Sequence, residues 1–525
     1  MKLPGFLWKN EKGIFVLFVL ITALPVLLNA YFPTVDGPSH LYNANLLKHY
    51  WFHSDEFLLG FFDLNKHLTS NLLDHVWFAF FGLFLPSFLV EKSILLFYLF
   101  ALPFSFRYLL KSSAGDNHSA RISSYLIFPF VYSFTFRIGF FNFCAGIPLL
   151  FWTLGYWAPS RDRLNPRRVA ALTLLATLVY ISHLFNFLLL GIIVFVNELQ
   201  YIIHLRTVKN SIRQLRALVV VFIPGLILFI LFYLSNRSFE HAPPSYLEKG
   251  KLAQMLLQAD PVITLDYGKE HRFAQIIGLV MCLLIALVLY DHFKERNRER
   301  QPFRPKWIFS VIIVLALYFL LPDWLDSGGF ISIRWALFFF LLLIILAGTK
   351  GLSPALLIVP VIVLMINHLF FMKYHYDETA YLSEQVKALA GAEKQMEEHT
   401  VLLPLNYSHN WMHINYASYM TTEKNIINLD NYEPGKPHFP LLWKKGEHIR
   451  DLMPGYENRN PPCINIENYE RKTHRRIGYL SRFCFDGNIS DSCALHAEQE
   501  IKSKFELIYE SADKQLQLYK RKPNT

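Results

Sequence analysis

Apolar residues run in long blocks through the first 372 positions, broken by short charged segments, and after Met372 the blocks stop. A helix that crosses a bilayer needs about 20 mostly apolar residues. On that measure the blocks at 13–31, 93–110, 122–136, 140–157, 169–185, 186–203, 217–234, 274–290, 307–321, 335–349 and 353–372 predict about eleven transmembrane helices. Gly13–Ala30 reads as an uncleaved first span, because the apolar run is long for a signal sequence and Leu28-Asn29-Ala30 is a poor cleavage site.

Charge sets the expected direction. With a cytoplasmic N-terminus, the short inner loops collect Lys2, Lys9 and Lys12, then Arg107, Lys111 and Arg121, then Arg161 to Arg168, then Arg206 to Arg216, then Lys294 to Lys306 and Lys350. The run Leu72–Val90 is also apolar enough to cross. A crossing there would turn the basic loops outward, so it is expected to be a re-entrant or interfacial hairpin broken near Gly82 and Pro86. The first outer loop is then 32–92, and residues 373–525 form an extracytoplasmic domain.

Composition supports this division. The chain is 53% hydrophobic, and the excess over the roughly 45–50% of soluble domains lies in the first 372 residues. The net charge of +10 is carried largely by loop residues that meet lipid headgroups, so it is not a nucleic-acid signal. No Gly-rich phosphate loop and no Cys/His metal cluster is legible. His409 and His413 have helical spacing but sit in loop-like sequence. Of five cysteines, Cys463, Cys484 and Cys493 fall in the C-terminal domain, where one disulfide, Cys484–Cys493, is the pairing considered.

Unusual polar residues gather on the expected outer face: Asp36, His40, Asp74, His75, Arg137, His183, Asp323, Asp326 and Arg334. Asp36 precedes Gly37-Pro38-Ser39-His40, where Pro38 suits a first helical turn. Tyr42, Leu46 and Tyr50 then recur every fourth residue, which predicts an amphipathic helix in the interface plane. Asp36 is expected to cap that helix, a position that also holds a carboxylate still.

A cytoplasmic N-terminus, one span, then an acidic residue opening a long outer loop with a helix and an apolar re-entrant segment resembles the GT-C fold. Its members are membrane glycosyltransferases that use polyprenyl-phosphate-linked sugars, such as protein O-mannosyltransferases and lipid A aminoarabinose transferases. Arg137-Ile138-Gly139-Phe140-Phe141-Asn142 is similar to a second polar outer turn of such proteins, and Pro322 to Arg334 to a late outer loop. The resemblance implies a polyprenyl-phosphate-linked sugar as donor, a glycan, lipid or protein as acceptor, and an inverting displacement at the anomeric carbon. Asp36 would be the general base, with His40, Arg137, His183 and Arg334 on substrate or phosphate. Many members carry paired acids in the first loop. Asp36 is followed by Gly37, so the sequence assigns no metal ligand and does not support a divalent ion.

In the C-terminal domain Tyr376–His399 reads as a charged helix and Val401–Leu405 as a buried strand. Phe505–Glu510 and Gln515–Arg521 read as a closing hairpin, so the domain is α+β. The expected protein is therefore an α-helical integral membrane protein of the cytoplasmic membrane, GT-C-like, with an extracytoplasmic α+β domain. The alternative is a non-enzymatic transporter, flippase or envelope assembly protein, including an inactive glycosyltransferase relative.

Overall fold

The computed structural model describes residues 5–52, 55–66, 71–161, 164–205, 208–235, 242–295, 307–325, 328–447, 449, 453, 463–485, 487 and 492–523. Asp326 and the basic residues Arg296 to Lys306 lie outside the described residues. The chain divides into two units, one formed by 1–25 and 95–377, the other by 26–94 and 378–525. The loop after the first span thus belongs with the C-terminal residues.

The first unit is helical. Among the described residues, seven helices are long and apolar enough to cross a membrane: Asn10–Leu28, Ser87–Ala114, Leu184–Ile203, Leu215–Ser235, Tyr267–Asp291, Ile331–Lys350 and Pro354–Glu393. Trp307–Leu320 is apolar but shorter. The helices Phe141–Ser160 and Pro166–Ser182 occupy two further expected spans.

The expected span 122–136 is not one helix. It divides into His118–Ser123, a 3₁₀ turn Ser124–Ile127, and the short helices Phe128–Val131 and Phe134–Ile138. Pro129 starts one piece and Ser133 caps the next by accepting from the Phe136 N–H, so local chemistry interrupts an apolar run. Gly139, at φ 92°, ends the last piece in a left-handed conformation open to glycine.

Two basic residues counted with the loops are buried ion pairs instead. Arg107 bonds Glu11 at 2.5 Å and covers the Phe15 ring, and Arg161 bonds Glu198 at 2.9 Å. Gly278 allows close packing, since a Cβ there would collide with the Leu257 carbonyl oxygen.

The second unit is α+β. Strands β1 (Phe62–Leu64), β2 (Thr400–Asn406), β3 (Ile426–Asn428), β4 (Leu441–Trp443), β5 (Tyr479–Phe483), β6 (Phe505–Glu510) and β7 (Leu516–Arg521) form two sheets. The larger has the order β3-β2-β5-β7-β6, with β2 parallel to both β3 and β5, and β7 antiparallel to β5 and β6. β1 pairs antiparallel with β4, so a strand from the first loop is stitched to the C-terminal residues. One apolar core joins them, holding Tyr42, Leu46, Phe61 and Phe62 with Leu403, Ile427, Leu480 and Phe505.

The helix Gly37–Phe52 departs from its expected placement. It is not an amphipathic helix lying at an interface, because its residues from Gly37 to Leu47 are all buried. Two of its side chains are held by polar partners: Asn43 and Asn431 exchange two amide bonds of 2.8 Å, and the Tyr42 hydroxyl donates to the Ile426 carbonyl at 2.8 Å. The run Leu72–Val90 breaks where expected, between the helix Leu73–Phe81 and a helix starting at Ser87. Its second arm, however, continues without a break as Ser87–Ala114. The last span and the charged stretch after it are likewise one helix, Pro354–Glu393.

The disulfide joins Cys463 to Cys493, with Cα atoms 5.3 Å apart, and leaves Cys484 a thiol. The sequence suggested Cys484–Cys493, which are closer along the chain. The structure overturns that pairing: Cys493 is bonded to Cys463, while Cys484 follows β5 and its N–H donates to the Gln515 carbonyl. Closing a loop with a sequence separation of 30 should stabilise this unit by roughly 3–4 kcal/mol. Peptide mapping without reductant should recover the Cys463–Cys493 linkage, and Cys493→Ser should lower the unfolding temperature of the purified chain.

Candidate functional site

Asp36 sits half-buried at the N-terminus of the helix Gly37–Phe52, where its carbonyl accepts the His40 N–H at 3.0 Å. Its carboxylate accepts from Asn415 Nδ2 at 3.1 Å and is also hydrogen-bonded to the Tyr432 hydroxyl. Burial first, and then the charge of Asp36, push the Tyr432 hydroxyl well above its ordinary pKa, so it remains a donor. Neither Asn415 nor Tyr432 carries a sequence signal, since both lie in irregular segments hundreds of residues from Asp36.

One turn along the helix, His40 faces two other carboxylates. Its Nδ1 is 2.7 Å from Glu433 Oε1 and its Nε2 is 3.8 Å from Asp74 Oδ2. His75 bonds Asp74 Oδ1 through Nδ1 at 2.7 Å and Glu433 Oε2 through Nε2 at 2.8 Å. The four side chains are 0–7% exposed. Asp74 and His75, which an interfacial helix would leave wet, are fully enclosed.

Burial opposes charge on both rings, but the two carboxylates outweigh it and raise both imidazoles, His75 to about 10. Burial would likewise raise Glu433, yet the two rings hold its carboxyl below the ordinary value. Two buried carboxylates thus require about two positive charges, from protons on the rings or from a cation.

In the helical unit, Arg137 lies fully buried on the short helix Phe134–Ile138. Glu270 and His375 are within electrostatic range of it, and His375 Nε2 is 3.9 Å from Glu270 Oε1. Glu270 in turn accepts from Thr264 and Leu265. Glu270 and His375 are ionisable groups inside helices long enough to span, a position that tends to carry function. His375 lies just beyond the apolar run that ends at Met372, so hydropathy does not mark it.

Arg334 is buried, with its guanidinium 4.4 Å from the Phe140 ring centre, 5.3 Å from Phe185 and 5.6 Å from Phe143. His183 shares two of these rings, at 5.3 Å from Phe143 and 5.5 Å from Phe185. It also shapes the turn, because its Nδ1 accepts the Phe185 N–H at 3.1 Å. The helix carrying Arg334 starts after Phe330, a non-glycine at φ 57°, which costs about 1–2 kcal/mol. Phe134, Phe140 and Trp324 pack on the Phe330 ring and hold it there.

Asp323 completes the start of that helix by accepting the Ser332 N–H at 3.0 Å. Asp323→Ala should therefore cost about 0.5–2 kcal/mol, and Asp323→Asn less. Thermal unfolding in detergent checks both.

No protein-family model matches the chain, and no curated protein matches it. Solved structures do. ArnT from Cupriavidus metallidurans bound to undecaprenyl phosphate superposes with a TM-score of 0.51 over 98% of each chain, at 9% identity. The same ArnT in the apo state gives a TM-score of 0.49 over 97% of this chain and 98% of that one, at 10% identity. The chain is thus an integral membrane protein with the GT-C fold of ArnT, a lipid A aminoarabinose transferase.

Proposed function

We propose that this protein is a membrane glycosyltransferase that moves a sugar from a polyprenyl-phosphate donor to an acceptor on the extracytoplasmic side. The observation that carries the reading is the GT-C fold, shared along 98% of the chain with a structure that binds undecaprenyl phosphate. Asp36 is the general base. It stands at a helix N-terminus, half-buried, and two neutral donors fix its carboxylate. A base so held can take the proton of an acceptor hydroxyl or amine as the glycosidic bond to phosphate breaks.

Arg137 and Arg334 are the cations for the departing phosphate. Both are buried, and a guanidinium away from bulk water binds phosphate oxygens with paired N–H donors. His183 orients the aromatic rings on which Arg334 rests. His40, with both nitrogens facing carboxylates, supports the wall behind Asp36 rather than reaching the phosphate.

The test is transfer in proteoliposomes from a panel of undecaprenyl-phosphate sugars, guided by glycolipid and intact-mass profiling of a deletion strain. Asp36→Asn should lower the rate about 10²–10⁴-fold with unchanged expression. Arg334→Lys should lower it too, because an ammonium cannot form the paired bonds. A deletion strain lacking no sugar, or wild-type turnover by Asp36→Asn, would sink the reading.

A further inference from the structure

The buried group formed by His40, Asp74, His75 and Glu433 has no step in the transfer described above. We propose that it binds one divalent transition-metal ion of the zinc class, with His40, Asp74 and His75 as ligands and Glu433 as the fourth donor.

The donor set points to this class of ion. Imidazole with carboxylate suits zinc and its neighbours, whereas calcium and magnesium take oxygen ligands alone. Spacing agrees. One ligand atom from each of His40, Asp74 and His75 lies within 4.8 Å of the others. Ligands bonded at about 2.0–2.2 Å to a tetrahedral ion stand roughly 3.3–3.5 Å apart, so small side-chain rotations close the shell. Glu433, which touches both rings at 2.7 and 2.8 Å, is already placed to give its fourth position.

Charge agrees as well. With both imidazoles neutral, as ligation requires, the two carboxylates leave a buried charge that one dication cancels. The ligands come from firm elements. His40 is on a helix buried along its first turns, Asp74 and His75 open the helix Leu73–Phe81, and Glu433 begins a 3₁₀ turn. The bound ion would fasten these three segments together. Tyr432, next to Glu433, is the residue that bonds Asp36, so the ion would also set the position of that carboxylate.

The test uses the full-length chain with an affinity tag free of histidine, purified in detergent. Its metal content is measured by mass spectrometry before and after loading with zinc chloride and desalting. The wild type should hold about one zinc per chain, and His40→Ala/His75→Ala should hold roughly tenfold less or lower still. Asp36→Asn should keep the ion. X-ray absorption of the loaded wild type should show a nitrogen and oxygen shell at about 2.0–2.2 Å with outer scattering from two imidazoles.

A loaded wild type with almost no zinc, or a double variant that takes up as much as the wild type, would overturn the proposal. Should the double variant aggregate, the absorption spectrum of the wild type decides alone: two imidazoles support the site, and one or none refutes it. Sugar transfer is not read in any arm, so failure of the glycosyltransferase reading leaves this result standing, and the reverse also holds.

Discussion

The α+β unit depends on one constraint: the polar side chains carried into its interior by the buried helix Gly37–Phe52 need partners from elsewhere in the chain. A helix buried along its first eleven residues with Ser39, His40, Asn43 and Asn45 on its surface would be expensive to enclose in an apolar core. The segment from Ile426 to Glu433 meets three of its side chains. Tyr42 meets the Ile426 carbonyl and the Asn428 N–H, Asn43 meets Asn431, and His40 meets Glu433. Such pairing fixes register more sharply than apolar packing, because a slip of one residue would strand several donors at once. The apolar core and the β1–β4 ladder then close around an alignment that polar contacts have set.

The helical unit uses a different device. Its buried cations are held among aromatic rings and at breaks in helices. Arg334 rests on three phenylalanines, and Arg137 rides on a five-residue helix bounded by a serine cap and a left-handed glycine. The expected span 122–136 fails as a single helix at this point. Short pieces leave backbone polar groups that only surrounding protein can satisfy, which is tolerated at membrane depth where the chain is buried.

Asp36 and Asp74, both in the first loop, sit in different environments. Asp36 has neutral donors around it and stays partly open. Asp74 is closed in with two rings and a second carboxylate. The first environment is the one the proposed base requires, and the second holds both carboxylates on fixed partners.

Some of this was legible from the chain alone. The long apolar blocks, the break at Gly82 to Pro86, the acidic residue at the start of the first loop helix, strand β2 and the final hairpin follow from periodicity, breakers and hydropathy, which act within a few residues. The GT-C resemblance rests on that same local order of elements, and the superposition on ArnT shows the fold over 98% of the chain. Tertiary structure alone decided what depends on distant partners. Glu433 looks like an ordinary loop residue until it meets His40 and His75, and Asn415 and Tyr432 acquire meaning only beside Asp36. The Cys463–Cys493 pairing likewise reflects where strand β5 delivers Cys484. The physical reason is that hydropathy is a property of a segment, whereas a buried polar network is a property of the space that several segments enclose.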